Sequence, residues 1–207
     1  MGIYREQILP RFIDKALGNE GIAKYRREVT AGLSGEIVEI GFGSGLNMPE
    51  YPPEVTRVFA VEPASVGKKL AAERVAASPI EVTYIGLDGR DLPLGDDSCD
   101  GALSTFTLCT IPDEAAALAE LVRVVRPGGR IHLLEHGRAR DDDVHKWQQR
   151  LNPIQRRVGD GCHLDRDHTA LVEAAGLEIE DAREWYAKGP KPMSAFYLLR
   201  TRVPETT

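Results

Sequence analysis

The fold of this chain is decided by residues 35–45, Gly35-Glu36-Ile37-Val38-Glu39-Ile40-Gly41-Phe42-Gly43-Ser44-Gly45. An apolar, β-branched run leads directly into three glycines that alternate with other residues. The run predicts a short buried strand, and the glycines predict a tight turn. Side chains at the glycine positions would keep a ligand away from the backbone. A strand followed by a bare loop and a helix is the usual nucleotide-binding element of an α/β sheet.

A carboxylate follows the second predicted strand, at the distance expected for a nucleotide site. It is Glu62, at the end of Arg57-Val58-Phe59-Ala60-Val61-Glu62, and a carboxylate there accepts hydrogen bonds from ribose hydroxyls. The glycine spacing is G-x-G-x-G rather than the dinucleotide pattern G-x-G-x-x-G, with Leu46 at the sixth position. A nicotinamide-dependent oxidoreductase is therefore disfavoured, and a glycine-rich turn that binds nothing is the structural alternative.

Three motifs in order carry a family resemblance. The pattern Glu39-x-Gly41-x-Gly43-x-Gly45 resembles the first motif of class I S-adenosylmethionine-dependent methyltransferases. The segment Asp88–Asp100 is similar to the part of that family that contacts adenine and begins the fourth strand. Residues Leu121–Arg130, with Pro127-Gly128-Gly129 as the predicted helix stop, resemble its helix–turn–strand signature. The succession from Ile37 to Glu135 is specific, whereas a single short motif is not.

Alternation of strand and helix patterns predicts a mostly parallel sheet with helices on both faces. Residues Lys188–Pro192 are too few and too rich in proline for a crossover helix, so the last two strands are expected to pair antiparallel. The resemblance implies a Rossmann-like α/β fold with seven strands, one of them reversed. We expect one methyltransferase domain over 1–207, with an N-terminal helical cap (1–34), a cofactor-binding core (35–136) and an acceptor-side region with the terminal strands (137–207).

The individual elements follow from the same patterns. Predicted helices are Tyr4–Leu17, Gly21–Thr30, Ser65–Ala77, Asp113–Val125, Asp142–Val158 and Asp167–Ala175. Predicted strands are Glu36–Ile40, Arg57–Val61, Glu81–Ile85, Asp100–Ser104, Arg130–Glu135, Leu177–Ala182 and Ser194–Thr201.

Bulk properties are those of an ordinary globular protein. The 207 residues carry a net charge of -6, without a block of Lys and Arg, which gives no footprint for nucleic acid. We expect no signal peptide, no stable membrane anchor and a cytoplasmic location. The three cysteines lack metal-ligand spacing, and their odd number argues against a disulfide framework. We therefore expect no metal, and either a monomer or a homodimer.

Ligands in such sheets bind beyond the carboxyl ends of the strands. The resemblance implies S-adenosylmethionine there, leaving as S-adenosylhomocysteine. Glu62 is expected to bind the ribose hydroxyls. Asp88 either accepts a hydrogen bond from the adenine amine or is a turn-forming residue of the pair Asp88-Gly89. Glu39 either binds the amino end of methionine, directly or through water, or braces the loop. The predicted cofactor-binding residues are Glu39, Gly41, Gly43, Gly45, Asn47, Glu62, Pro63, Asp88, Gly89 and Thr105.

Methyl transfer from a sulfonium needs alignment and desolvation more than acid–base help, because the leaving group is neutral. A thiol acceptor is a few per cent thiolate at neutral pH, and a nearby base would raise that fraction. His136, directly after the fifth strand, is the candidate base; the alternative is a histidine satisfied by a backbone carbonyl. His132, within the strand, is expected to be structural.

The second half resembles the methyltransferase-like thiol S-methyltransferases. The matching stretches are Trp147-Gln148-Gln149, Val158–Arg166, Asn47, Tyr51-Pro52-Pro53, Leu108-Cys109 and Glu135-His136. Animal members methylate alkyl thiols and hydrogen sulfide and carry an N-terminal membrane anchor. Met1–Leu17 here is amphipathic and charged, which indicates a soluble, bacterial relative. The candidate acceptor-binding residues are Leu108, Cys109, Trp147, Cys162 and His163. The alternatives are a buried, inert Cys109, core packing of Trp147, and a metal pair at Cys162-His163, which is disfavoured because further ligands of suitable spacing are lacking.

The sequence thus predicts methyl transfer to a small molecule, with a thiol or sulfide as the leading acceptor. The alternatives are an O- or N-methyltransferase for a phenol, quinol, amine or lipid head group, and a non-catalytic module that binds S-adenosylmethionine. Tyr4 and Arg11 on the first helix are candidates to close over the cofactor; simple packing of that helix on the sheet edge is the alternative.

Overall fold

A single seven-stranded sheet organises the protein in this computed structural model, which describes residues 7–86 and 88–205. The strands are β1 (Gly35–Ile40), β2 (Val55–Val61), β3 (Glu81–Gly86), β4 (Cys99–Thr105), β5 (Val125–His136), β6 (Glu178–Tyr186) and β7 (Ala195–Arg202). Their order across the sheet is β3-β2-β1-β4-β5-β7-β6. Strand β7 runs antiparallel to both of its neighbours, and all other pairs are parallel. The predicted seven-stranded, Rossmann-like α/β fold with one reversed strand is confirmed.

Six α-helices accompany the sheet in the described part of the chain. They are α1 (Leu9–Leu17), α2 (Glu20–Thr30), α3 (Ser65–Ala76), α4 (Glu114–Val124), α5 (Asp142–Val158) and α6 (His168–Ala174). The predicted start of the first helix, with Tyr4, falls outside the described residues. Short 3-10 turns cover Met48–Glu50 and Lys191–Met193.

Alternating side chains on the strands divide the core between the two faces of the sheet. Val38 and Leu133 belong to the cluster packed by α4 and α6. Their neighbours Ile37 and Leu134 belong to the opposite cluster, packed by α2 and α3. The period of two along each strand produces this division. Helices therefore cover both faces, as the sequence predicted.

The expected helix stop at Pro127-Gly128-Gly129 is wrong in its detail. Helix α4 ends at Val124 and β5 begins at the next residue. The register of β5 against β4 jumps from Val125 to Arg130, so residues 126–129 form a bulge. The bulge is stable because Gly128 N–H donates to the Val203 carbonyl at 2.9 Å and Val203 N–H donates to Gly129 at 2.9 Å. Val203, directly after β7, thus provides hydrogen-bond partners for the Gly128 N–H and the Gly129 carbonyl, which a simple turn would have left to solvent.

The last two strands pair antiparallel over Glu178–Tyr186 and Ala195–Arg202. Strand β6 continues to Tyr186, beyond the predicted end at Ala182, whereas β7 has the predicted length and is shifted by one residue. No helix within residues 7–86 and 88–205 is long and apolar enough to cross a membrane.

The buried centre of β5 gives a direct test of this core. Leu133 is fully buried, so Leu133→Ala removes packed methyl groups and leaves a cavity, and we expect it to lower the free energy of unfolding by about 2–5 kcal/mol. Ile154→Ala on the outside of α5 is the control, since 62% of that side chain is exposed and a change of about 0.5 kcal/mol or less is expected. Urea unfolding of both variants makes the comparison, and equal losses would contradict the assigned core.

Candidate functional site

The carboxyl ends of the parallel strands open into a cavity of about 430 Å³. Its wall includes eight of the predicted cofactor-binding residues, namely Gly41, Gly43, Asn47, Glu62, Pro63, Asp88, Gly89 and Thr105. The described wall also contains Ile13 and Leu17 of α1, Arg26 of α2, the stretch Phe106, Thr107, Thr110, Ile111 and Pro112, and Gly159 and Asp160. This volume lies in the range of small-molecule and cofactor sites.

The glycine loop is built for close packing as well as for ligand approach. Gly41 has φ +72°, and a Cβ there would lie 1.9 Å from Thr107 Oγ1. Any larger residue would therefore strain the backbone and push β1 away from the loop after β4. Gly45 does not line the cavity; a Cβ there would meet Ala71 of α3 at 3.2 Å. Gly41 and Gly43 thus line the cavity, whereas Gly45 permits close packing against α3.

Glu62 closes one side of the cavity. Its carboxylate is 5% exposed and accepts the backbone N–H groups of Gly43 and Ala64, both at 2.6 Å. Burial raises its pKa, against the effect of these two bonds. Each carboxylate oxygen has a second lone pair, so Glu62 retains capacity for a ligand hydroxyl.

Asp88 lies at the outer rim of the same cavity. It is exposed and accepts bonds from Arg90 Nε at 2.9 Å and Arg90 Nη2 at 2.7 Å. These bonds lower the pKa of Asp88 to about 2.

A buried polar network lies beneath the glycine loop and centres on Glu39. Its carboxylate is fully buried and accepts Asn47 Nδ2 at 2.7 Å and the Tyr51 hydroxyl at 2.5 Å. Desolvation raises the pKa of Glu39 to about 7, against these two bonds and the nearby Arg26 charge. Glu39 does not line the cavity, so bracing the loop through Asn47 and Tyr51 is the role its contacts support.

Arg26 completes the network and was missed by sequence reasoning. Its Nη1 donates to Asn47 Oδ1 at 2.7 Å and to Thr105 Oγ1 at 2.9 Å, and its buried Nε has no hydrogen-bond partner among the described residues. Burial lowers its pKa to about 10, so the guanidinium remains charged at neutral pH. No local pattern in Tyr25-Arg26-Arg27 distinguishes the buried arginine from its exposed neighbour.

The position of Arg26 depends on packing between α2 and β5. His132, expected to be structural, has its Nδ1 at 2.6 Å from the Val29 carbonyl oxygen. Burial lowers the pKa of His132 to about 4, so the ring is neutral at pH 7 and its Nδ1–H donates to that carbonyl. This buried bond holds α2 against the sheet one turn beyond Arg26.

A second buried carboxylate, Glu135 at the end of β5, shapes the loop after β4. Its carboxylate accepts a hydrogen bond from the Ser104 hydroxyl at 2.7 Å. It also accepts hydrogen bonds from the backbone N–H groups of Thr107 at 3.0 Å, Leu108 at 3.1 Å and Cys109 at 3.3 Å. The loop that carries one wall of the cavity is therefore folded around a single side chain. Sequence analysis placed Glu135 at a strand end but gave it no role.

His136 and the two nearby cysteines form a buried cluster behind this wall. Cys162 Sγ lies 3.5 Å from His136 Nδ1 and 3.8 Å from Cys109 Sγ. Hydrogen bonds from Cys109 and His136 lower the pKa of Cys162, while the pKa of Cys109 is raised. His136 does not line the cavity, and its buried Nε2 has no partner in the described part of the chain.

The structure brings together only part of the predicted acceptor site. Leu108, Cys109 and Cys162 are buried beside one another, and His163 N–H donates to the Cys109 carbonyl at 2.8 Å. None of these four lines the cavity. Trp147 is 55% exposed on α5, with Arg150 over its ring. Arg11 bonds Gln7 and also lies off the cavity wall.

Within residues 7–86 and 88–205, no group of three or more His, Cys, Asp or Glu side chains is arranged to hold a metal ion.

Comparison with known proteins places this geometry in a family. A family model described as a methyltransferase domain matches residues 38–133. Human thiol S-methyltransferase TMT1A is 31% identical over 171 residues, which are 77% of this chain and 70% of the relative. Human thiol S-methyltransferase TMT1B is 31% identical over 174 residues, 78% of this chain and 71% of the relative.

Relatives with other names share the domain. A demethylmenaquinone methyltransferase of Clavibacter sepedonicus is 32% identical over 122 residues, 58% of this chain and 49% of the relative. The solved structure of geranyl diphosphate methyltransferase in complex with S-adenosylmethionine has a TM-score of 0.68 at 14% identity, and covers 87% of this chain and 83% of that one.

The fold, the cavity at its strand ends and these relatives define a class I S-adenosylmethionine-dependent methyltransferase. Within that class, the chain belongs to the family of the thiol S-methyltransferases TMT1A and TMT1B. Membership defines the cofactor and the type of reaction; it does not define the acceptor, because other members of the class are named for other acceptors.

The cavity fits S-adenosylmethionine in three respects. Gly43 lines the cavity without a side chain, so a ligand can approach the backbone there. Glu62 has a carboxylate that can accept hydrogen bonds from a sugar diol, and Arg26 has a buried cation that can bind a carboxylate. When bound, the cofactor supplies a methyl group activated by a sulfonium. The protein residues bind and orient it and exclude water.

The raised pKa of Glu39 predicts a pH dependence of stability. Burial favours the protonated form of Glu39. The contribution of Glu39 to the free energy of unfolding is therefore greatest below its ordinary pKa of 4.5, and it is lost as the pH rises towards about 7. Glu39→Gln removes this loss. Between about pH 5 and pH 8, we expect the variant to gain about 2–3 kcal/mol relative to wild type in urea unfolding. Glu73→Gln on the exposed face of α3 controls for the lost charge, and a constant difference between wild type and Glu39→Gln would contradict the assignment.

Proposed function

We propose that this chain transfers a methyl group from S-adenosylmethionine to the sulfur atom of a small thiol or sulfide. The main support is the similarity to TMT1A and TMT1B, which extends over three quarters of the chain. A similarity that covers 77% of the chain is longer than residues 1–136, so it extends into the predicted acceptor-side region. The proposal concerns the acceptor, since the cofactor follows from the family.

The described cavity wall suits an acceptor that ionises without help. The titratable side chains on it are Arg26, Glu62, Asp88, Arg90 and Asp160, and neither histidine nor lysine is among the described lining residues. Four of these five belong to the cofactor end in our assignment or to its outer rim, where Arg90 pairs with Asp88. A thiol, with an ordinary pKa near 8.5, needs less base assistance than a phenol or an alcohol.

The acceptor is expected to enter beside the loop after β4. There the wall is made of Phe106, Thr107, Thr110, Ile111 and Pro112, which offer apolar surface and two hydroxyl groups. Phe106 packs edge-on against Phe196 at 5.2 Å between ring centroids, which fixes the side chain at the cavity. Such a wall favours a small, mostly apolar acceptor over a charged one.

On the cofactor side, we assign the two ends of the ligand to different residues. Glu62 holds the ribose hydroxyls, and Asp88 with Gly89 lies at the adenine end. Arg26, supported by Asn47 and Thr105, binds the carboxylate of the amino-acid end. The unpartnered Nε of a buried guanidinium on the cavity wall supports this last role.

Two variants separate these roles by their effect on two ligands. Glu62→Ala is expected to weaken both S-adenosylhomocysteine and methylthioadenosine by roughly 10- to 100-fold, because a bond to a charged group contributes about 1.5–3 kcal/mol. Arg26→Gln is expected to weaken only S-adenosylhomocysteine, since methylthioadenosine lacks the amino-acid end. Calorimetric titration measures both, with Glu73→Ala as the control. Equal weakening of both ligands by Arg26→Gln would remove its assignment.

The acceptor is tested by product analysis. Purified protein is incubated with S-adenosylmethionine and a panel of small thiols, sulfide, phenols, a quinol and amines, and methylated products are identified by mass spectrometry. Methyl thioethers or methanethiol are the expected products. Methylation of the quinol or phenols alone would support the second candidate, an O-methyltransferase, which the demethylmenaquinone methyltransferase relative favours. Cofactor binding without product on any acceptor would indicate a binding module.

The same assay tests the prediction that His136 is the general base. Loss of a positioned base costs about 10²–10⁴-fold in rate. Because His136 contacts Cys162 rather than the cavity, we expect His136→Gln to lower kcat only several-fold. A loss of a hundredfold or more, confined to thiols of high pKa, would restore the general-base role.

A further inference from the structure

The two cysteines behind the cavity wall lie in contact without being bonded. Cys109 Sγ and Cys162 Sγ are 3.8 Å apart, and both are free thiols. A disulfide requires a sulfur–sulfur distance of about 2.05 Å. The sulfur atoms would need to approach by about 1.8 Å to form that bond.

The backbone already holds the two segments together. His163 N–H donates to the Cys109 carbonyl at 2.8 Å, and the Arg166 guanidinium donates to the Leu108 carbonyl. A Cβ at Gly161 would lie 3.0 Å from the Thr110 carbonyl oxygen, so the backbone segments around Gly161 and Thr110 approach closely there. The pairing of the cysteines is therefore fixed by the fold and does not depend on chance encounter.

The two thiols are not equivalent. Cys162 is 8% exposed and contacts both His136 Nδ1 and the Cys109 thiol. Cys109 is 2% exposed and belongs to the loop held by Glu135, which accepts its backbone N–H. Attack by a thiolate requires access and a stabilised anion, and both conditions favour Cys162 as the first to react.

We propose that Cys109 and Cys162 form a reversible disulfide when the protein meets a low-molecular-weight disulfide. The Cys162 thiol releases its proton to solvent, and the thiolate attacks one sulfur of the disulfide RSSR, whose S–S bond breaks; a mixed disulfide forms and the first RS⁻ leaves. The Cys109 thiol gives its proton to this RS⁻, and its sulfur attacks Cys162 Sγ of the mixed disulfide. The second RS⁻ leaves and takes up a proton from solvent. The balance is RSSR plus two protein thiols to two RSH plus one protein disulfide.

This bond would act on the acceptor side of the methyltransferase site. Thr110 follows Cys109, and Gly159 and Asp160 precede Cys162; all three line the cavity. A bridge fixes both segments to each other and breaks the contact of Cys162 with His136. The regulatory consequence rests on the proposed methyltransferase function, whereas bond formation itself does not. We expect a several-fold change in KM for the acceptor with the affinity for S-adenosylhomocysteine unchanged.

The test treats the reduced full chain with oxidised glutathione and maps peptides under non-reducing conditions. We expect a peptide pair joined through Cys109 and Cys162, with loss of two hydrogens in the intact mass and full reversal by dithiothreitol. Absence of that pair after treatment that fully oxidises a model dithiol would overturn the proposal. Because this readout needs no methyl transfer, it distinguishes failure of the disulfide from failure of the proposed function.

Three variants complete the test. Cys99→Ser is the matched control, since Cys99 is a buried cysteine on β4 outside the cluster, and it should form the bridge as wild type does. Cys109→Ser should retain glutathione on Cys162 as a stable mixed disulfide. Cys162→Ser should show neither product. Faster reaction at Cys109 than at Cys162, or a bridge that includes Cys99, would contradict the order proposed here.

Discussion

The cofactor side of this protein depends on a carboxylate that water does not reach. Glu39 is the penultimate residue of strand β1 and has no exposed surface, and an isolated buried charge there would be costly. The sequence compensates it with Asn47 and Tyr51, which flank the 3-10 turn between β1 and β2, and with Arg26 of α2. Satisfying one side chain therefore fixes the helix α2, the turn after the glycine loop and the wall of the cavity together.

The acceptor side repeats this arrangement with a second buried carboxylate. Glu135 organises the loop after β4 by accepting three consecutive backbone N–H groups, and the next residue, His136, joins the thiol cluster. The loop and the segment around Cys162 then form one wall, tied by backbone hydrogen bonds. Under the proposed function, affinity for the cofactor and selection of the acceptor depend on two networks, one centred on β1 and the other on β5, which lie on either side of β4.

Sequence reasoning reached the sheet and the glycine loop because both are local. Periodicity defines strands such as β1, and Gly41–Gly45 with Glu62 form a motif readable along the chain. The role of Arg26 was not readable, because the burial of its charge depends on partners 21 and 79 residues away. Bracing of the loop was one of two expectations for Glu39, but its partners Asn47 and Tyr51 did not follow from the sequence. The bulge at residues 126–129 escaped for the same reason, since its partner is the far strand β7.

We propose that one cavity holds the cofactor between Glu62 and Arg26, and that the acceptor enters beside the loop after β4. The decisive measurement is a crystal structure of the protein with S-adenosylhomocysteine and a small thiol. We expect the ribose hydroxyls to contact the Glu62 carboxylate, the amino-acid carboxylate to contact Arg26, and the cofactor sulfur to face Phe106 and Thr107. A nucleoside bound elsewhere, or a cofactor in this cavity whose amino-acid end points away from Arg26, would contradict it.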